Sequence, residues 1–376
     1  MSHGVRGCVD APSVSIEFSV FHPAVHFEES TLDLSELYEG VLQLITMAED
    51  LGYGAFFLNE GHLRAPNFRL PNSRMLLAAA AQRTSRIHLG TALTLLAYHN
   101  PKLIAEDVCM LGALTQGRYR IGLGTGAYPQ EALQFGLDPS ARSSTLALNI
   151  EILRRLLDNE VLSVSAPSYK VENLHSSLPC PYPVELYRGT ASPRGCRAVG
   201  EQGLGLMLSA NDFPREKDLA FYDQCLAQYR EGWSTSRRRG EIPPPHYLLI
   251  YTFVAETDAD AFSLVGPYLE RLRSEICGIR LPPGQTHMAL HADDPLSLIG
   301  SVDTVTRRIA HLEARGAERI MTLQNIGAIP DVHLRASMQL FARQVVPRVR
   351  SEGAAIPCRD IRAAPAEGPL PRSWAR

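Results

Sequence analysis

The sequence predicts a closed (β/α)8 TIM barrel with an insertion between strand seven and the final barrel unit. Three observations predict it. Eight short apolar runs alternate with amphipathic stretches, the pattern of repeated strand–helix units. The amphipathic stretches start at Asp, Asn or Ser caps and several stop at glycine, so their limits are chemically marked. No Ser/Gly-rich linker splits the chain, and barrels of this class commonly form one unit well beyond 200 residues. An open doubly wound sheet is the competing arrangement of the same elements.

The elements follow in order. Val14 to Phe21 is a first strand. Leu34, Leu37, Tyr38, Val41, Ile45 and Ala48 then recur at helical spacing, with Asp33 and Glu36 placed as a capping box and Gly52 as the stop. Ala55 to Leu58 is strand two, Arg74 to Arg83 a helix, and Ile87 to Leu95 strand three. Asn100-Pro101 opens the next helix, because Asn caps well and Pro suits the first turn. Ile104, Val108, Leu111 and Leu114 form its inner face, and Gly117 closes it. Tyr119 to Leu123 is strand four, followed by a helix near Leu146 to Leu157 and an irregular piece to Pro181. Val184 to Tyr187, Leu204 to Leu208 and Leu248 to Ala255 are strands five to seven, with Ser192-Pro193 opening the helix after strand five. Ile276 to Leu298, containing Pro282-Pro283-Gly284, has no clear periodicity and is the insertion. Ser301 caps a helix that stops at Gly316, Arg319 to Leu323 is strand eight, and Leu334 to Val345 the last helix. Residues 14–350 thus form the barrel, with residues 1–13 and 351–376 as flexible termini.

Composition narrows the function. The chain is 45% hydrophobic and 20% charged with a formal charge of −3, which argues against nucleic acid or an anionic membrane as partner. Seven scattered cysteines without a C-x-x-C pair predict neither a disulfide framework nor a structural zinc site. The absence of a signal-peptide pattern and of a long apolar span leads to the expectation of a cytoplasmic protein.

In a (β/α)8 barrel the chemistry sits at the C-terminal ends of the strands. Those positions here read Phe21-His22, Asn59-Glu60-Gly61-His62, Tyr98-His99-Asn100, Gly124-Thr125-Gly126 and Gly189-Thr190-Ala191-Ser192. His62 and His99 are candidate proton-handling groups beside Glu60, since imidazole titrates near neutral pH. Ser192 opens a helix whose unpaired N–H groups suit a phosphate; the plainer reading is an ordinary N-cap. The string from Gly122 to Gly126 lacks the G-x-G-x-x-G spacing of a dinucleotide fingerprint. Glu60 and His62 make no H-E-x-x-H spacing, so no metal is expected.

Several stretches resemble the bacterial luciferase family of flavin monooxygenases. They are IHLGTALTL (Ile87 to Leu95), NPKLIAEDVCML (Asn100 to Leu111), QGRYRIGLGTG (Gln116 to Gly126), Gln134 to Asp138 with Arg142, and the segments Gly300 to Arg315 and Arg335 to Pro347. The resemblance implies a monooxygenase using reduced FMN and dioxygen on a small organic substrate, such as an aldehyde, a ketone or a natural-product intermediate. It also implies a separate flavin reductase, because nothing reads as a nicotinamide-binding domain, and a homodimer through the early helices. Thr91, Ala92 and Leu93 resemble the segment that packs on the flavin ring, often through a non-proline cis peptide. Gly124, Thr125 and Gly126 resemble the strand end beside the cofactor. Gly189, Ser192 and Asn100 complete the cofactor-binding set, while His62, Glu60 and His99 make the catalytic set.

Two departures from the family matter. Glu60-Gly61-His62 stands where the family often has Glu-His-His, and Thr125 stands where bacterial luciferase has an arginine for the phosphate. Related barrels use a deazaflavin for hydride transfer, so a deazaflavin-dependent oxidoreductase is the alternative enzyme. A non-catalytic flavin-binding relative is the alternative from outside enzymology.

Overall fold

The computed structural model describes residues 16–25, 33–62, 69–166, 169–211 and 219–353. Within them run strands β1 (Glu17–His22), β2 (Ala55–Leu58), β3 (His88–Thr94), β4 (Tyr119–Leu123), β5 (Leu162–Ala166), β6 (Tyr169–Leu174), β7 (Leu186–Thr190), β8 (Gly205–Ser209), β9 (Tyr247–Ala255), β10 (Leu298–Ser301) and β11 (Arg319–Leu323). The helices are α1 (Leu34–Asp50), α2 (Ser73–Ala81), α3 (Pro101–Leu114), α4 (Pro129–Gln134), α5 (Arg142–Leu157), α6 (Pro193–Glu201), α7 (Leu219–Thr235), α8 (Asp258–Arg271), α9 (His287–Ala292), α10 (Val302–Glu313), α11 (Asp331–Leu340) and α12 (Val346–Gly353).

The barrel strands pair in parallel in the order β1-β2-β3-β4-β7-β8-β9-β11, and β11 pairs back onto β1 to close the ring. All eight strands foreseen in the sequence are present. Val14, the expected start of strand one, lies outside the described residues, as do the termini expected to be flexible except Ser351 to Gly353. Those three residues continue helix α12 beyond the expected barrel end at residue 350.

Local chemistry explains the element limits. The Asp33–Glu36 capping box forms at the start of α1, and Asn100, Ser192 and Ser301 each cap their helix through the side chain. Gly52 and Gly117 take positive φ just beyond α1 and α3, the left-handed stop that glycine adopts at least cost.

Several elements were not foreseen, α4 and α7 among them. The piece between α5 and β7 contains the antiparallel hairpin β5–β6, whose strands are short and half-exposed. The insertion after β9 also carries more regular structure than its sequence suggests, because α8 extends β9's unit and α9 lies inside the aperiodic stretch. Ser301 ends the added strand β10, which pairs in parallel with the far end of β9.

The two ends of the barrel interior differ in chemistry. At the N-terminal end, Arg120 donates to Glu17 at 2.7 Å and contacts the Tyr247 hydroxyl, while Arg319 donates to the Tyr187 hydroxyl at 2.7 Å. These charges and rings fill that end with a polar plug. The opposite end holds an open cavity of about 570 Å³, which is where strand-end chemistry is expected.

Candidate active site

Glu60, two residues beyond β2, lines the cavity, whereas His62 and His99, which it holds, sit beside the cavity and do not line it. Glu60 is 6% exposed, and both of its carboxylate oxygens are engaged. Oε1 accepts from Nε2 of His62 at 2.9 Å and from Nε2 of His99 at 2.5 Å. Oε2 accepts from Arg74 of α2 at 2.9 Å, and Arg74 donates its Nε to Asp107 of α3 at 2.9 Å. Burial alone would favour the neutral acid. Hydrogen bonds from both histidines and the charges of His99 and Arg74 outweigh it and bring the Glu60 carboxyl down to about 2. Glu60 is therefore ionised near neutral pH, and an ionised carboxylate only accepts. Each imidazole must then carry a proton on Nε2, which leaves Nδ1 as the free acceptor position when the ring is neutral.

The His62 loop is held from a third direction. Glu131 of α4 accepts the His62 backbone N–H at 2.8 Å and is itself buried. Burial raises the Glu131 carboxyl above its ordinary value, against the hydrogen bond and charge of His62. The His62 ring packs edge-on against Phe135 at 4.8 Å, and Phe135 stacks on Tyr98 at 5.0 Å. Gly126 takes φ +81, and a Cβ there would meet the Tyr98 hydroxyl at 2.3 Å, so only glycine lets the β4 end pass beneath that ring. Arg142 donates to the Gly126 carbonyl at 3.0 Å and pins the same turn.

Below the rim, Ala92, Leu93, Gly124, Thr125, Gly126 and Gly189 all line the cavity. The Ala92–Leu93 peptide is cis, at the segment where the sequence led to that expectation. Gly189 leaves room for the Leu93 side chain, whose Cδ1 a Cβ there would meet at 2.3 Å. Thr91 is brought close but faces inward, fully buried, with its hydroxyl on the Gly122 carbonyl at 3.3 Å.

Two residues of the expected cofactor set lie further out. Ser192 is exposed and its hydroxyl accepts from Gly195 N–H at 3.2 Å, the N-cap reading; the cavity lining reaches its neighbour Ala191. Asn100 is also spent as a cap, accepting from Lys102 N–H at 2.9 Å, and does not line the cavity.

Arg74, Asp107 and Glu131 belong to the site and were not anticipated from sequence. Two further groups bear on what the cavity takes. Asn59 Oδ1 and Asn211 Nδ2 are buried in its wall without a partner among the described residues. Buried polar atoms usually have a hydrogen-bond partner, whether protein, ordered water or a bound ligand.

The family model for luciferase-like monooxygenases matches residues 16–319. Among curated relatives, limonene 1,2-monooxygenase from Rhodococcus erythropolis is 28% identical over 53% of this chain and 51% of that enzyme. The chain thus spans only about half the length of that relative. An F420-dependent glucose-6-phosphate dehydrogenase from Intrasporangium calvum is 29% identical over 52% of this chain and 60% of that enzyme. The oxygenating constituent of 3,6-diketocamphane monooxygenase from Pseudomonas putida, solved with FMN, superposes with a TM-score of 0.72 over 89% of this chain and 99% of that one, at 20% identity. That likeness concerns the fold. With the family model matched across most of the barrel and the cavity at its C-terminal mouth, the chain belongs to the luciferase-like monooxygenase family.

Proposed function

We propose that the chain is the oxygenase component of a two-component flavin monooxygenase, taking reduced FMN from a separate reductase and oxygenating a small apolar organic molecule. The observation that carries this reading is the cavity itself. Its wall is mostly apolar, with Phe21, Met207, Leu249, Met321 and Leu323 around a glycine-rich floor, and a few polar side chains from several strand ends, among them Asn59, Glu60, Thr125, Thr190 and Asn211, also line it.

On this reading Ala92, Leu93 and Gly124 to Gly126 hold the flat ring, and Asn59 and Asn211 meet its polar edge. The N-terminus of α6 from Ser192 onward holds the phosphate, with no help from an arginine at position 125. Bound reduced FMN would supply the electrons that activate dioxygen. The chain's own work is to orient the substrate, exclude water and handle one proton. His62 does the last through its ring, while Glu60 fixes which nitrogen carries the proton and Glu131 fixes where the loop sits. Leu272, just after α8, and Cys277, in the insertion, border the cavity, where a closing segment would exclude water.

An aldehyde, a ketone or a natural-product intermediate suits the apolar lining. The monooxygenase names among the relatives support this class, and the F420-dependent relative supports deazaflavin hydride transfer as the second reading. The reading also includes a homodimer, supported by Met75 of α2 and Leu103, Met110 and Leu114 of α3, which stay 43–72% exposed on neighbouring helices. Anaerobic titration with reduced FMN and with reduced deazaflavin, followed by oxygen uptake with candidate ketones and aldehydes, tests the assignment. Oxygen uptake matched by product with FMN supports it. Turnover with deazaflavin alone moves the chain to the second reading, and cofactor binding without any turnover makes it a non-catalytic relative.

A further inference from the structure

Three ligand atoms beside the cavity, one of them from its lining residue Glu60, converge in a way that their positions along the chain conceal. His62 Nε2, His99 Nε2 and Glu60 Oε1 come from two strand ends, and all lie within 4.8 Å of one another. The histidine nitrogens approach the shared oxygen at 2.9 and 2.5 Å. We propose that this trio is a binding site for a divalent transition-metal cation of the Zn2+ or Co2+ type, and that occupation of the site inhibits the protein. The inhibition clause rests on the proposed monooxygenase reading; the binding clause does not.

Two imidazoles and one carboxylate on one side of a cation form a facial set that leaves positions open. Metal–ligand bonds of about 2.0–2.2 Å place neighbouring ligand atoms roughly 3 Å apart. The two histidine–carboxylate spacings are at or just inside that value and the two imidazole nitrogens lie within 4.8 Å of each other, so entry of the cation needs a modest shift of the rings. Neutral imidazole binds a metal through a bare nitrogen. Here each Nε2 bears a proton for Glu60, and that proton moves to Nδ1 or to solvent as the metal enters.

The surroundings support the site. Arg74 and Asp107 hold the far oxygen of Glu60, which is the kind of outer hydrogen bonding that fixes a ligand's orientation. Glu60 and Asp107 carry two negative charges against the one positive charge of Arg74, and Glu131 sits beside His62, so the pocket favours a cation. The histidine side chains are 14% and 20% exposed, which leaves a way in. Glu60 also lines the barrel-mouth cavity, so a bound cation would occupy the edge of the substrate space and tie up both imidazoles.

The site differs from the protein's thiols. The described cysteines, Cys109, Cys180, Cys196, Cys225 and Cys277, form no disulfide and would also attract soft metals. Co2+ separates the two possibilities, because nitrogen and oxygen ligands give visible d–d bands without the near-ultraviolet band of cobalt–thiolate bonds.

The experiment titrates Co2+ into untagged, flavin-free full chain and follows the visible spectrum. One Co2+ per chain with d–d bands and no thiolate band is expected, displaced by Zn2+. His62→Ala and His99→Ala should each weaken binding by about tenfold or more. His287→Ala, at a histidine that hydrogen-bonds the Ile279 carbonyl away from the rim, should leave binding unchanged. Circular dichroism and melting confirm that each variant is folded, and the partly exposed His62 gives a test even if His99→Ala fails to fold. No saturable binding, a dominant thiolate band, or equal affinity in His62→Ala would overturn the proposal. In a second arm, Zn2+ at concentrations that fill the site should suppress oxygen uptake in the native protein. Protein that binds Co2+ yet shows no turnover contradicts the monooxygenase reading alone, whereas active protein that fails to bind Co2+ contradicts the metal site alone.

Discussion

Glu60 Oε1 and His99 Nε2 lie 2.5 Å apart across 39 residues of chain, joining the ends of β2 and β3 at the rim of the barrel. The same oxygen takes the His62 proton and the opposite one takes Arg74. A single buried carboxylate thus sets the tautomer of two imidazoles and anchors α2 to the site. Replacing it by the isosteric amide leaves Arg74 with Asp107 as its remaining partner. Glu60→Gln should lower stability by about 3 kcal/mol, the lower end of the range for breaking a buried ion pair. Urea unfolding checks this, and a loss under about 1 kcal/mol would mean that the rim carries little of the fold's stability.

His62→Ala should cut turnover by about 10²–10⁴-fold, the usual loss for a general acid–base group. Its partly exposed side chain meets Glu60, Phe135 and the His99 ring, so melting temperature and flavin affinity should change little. Product assays beside a flavin titration make the comparison. Near-normal product formation would transfer the role to His99.

Ser192→Asp probes the phosphate end. Aspartate caps a helix as well as serine does, so α6 should keep its start while gaining a negative charge. Reduced FMN should bind at least about tenfold more weakly, because losing a charge-assisted hydrogen bond alone is worth roughly 1.5–3 kcal/mol. Riboflavin, which lacks the phosphate, should bind as before. Equal losses for both ligands would leave Ser192 as a cap only.

Acid stability should fall in two separable stages. His22 is buried, with Nδ1 accepting from Ala24 N–H at 3.1 Å and Nε2 beside Asn325 at 2.7 Å. Burial brings it down from 6.5 to about 4. The unfolded chain therefore binds a proton that the folded chain refuses, and stability drops as pH falls from 6.5 towards 4. Glu60 is shifted from 4.5 to about 2, so its contribution is intact above 4.5 and is lost as pH falls from there towards 2. His22→Gln should flatten the first stage and Glu60→Gln the second. Denaturant melts at half-unit pH intervals read both, and an unchanged first stage in His22→Gln would contradict the assignment.

The barrel was legible in the sequence because burial on both faces leaves each of its strands a short apolar run, as in Ala55 to Leu58. The caps at Asp33, Asn100, Ser192 and Ser301 were legible because capping is local chemistry. The hairpin β5–β6 was not, since Leu162 and Leu174 are its only fully buried residues and its alternation is short. Glu60, His62 and His99 could be placed at strand ends, but their convergence on one oxygen could not, because it depends on how adjacent strands align. Arg74, Asp107 and Glu131 act through contacts 14, 33 and 69 residues away. Nothing local distinguishes Arg74 or Asp107 from any charged residue on an amphipathic helix. Asn100 shows the opposite error: its cap was read correctly, and that cap is what occupies its side chain.

The most direct test of the central claim is a single-turnover reaction under 18O2 with chemically reduced FMN and an apolar ketone or aldehyde that the protein accepts. One 18O atom in each product molecule and oxygen uptake in step with product are expected, with far less product formed by His62→Ala. Product formed without 18O, or formed anaerobically from a reduced deazaflavin while reduced FMN stays inert, would contradict that claim.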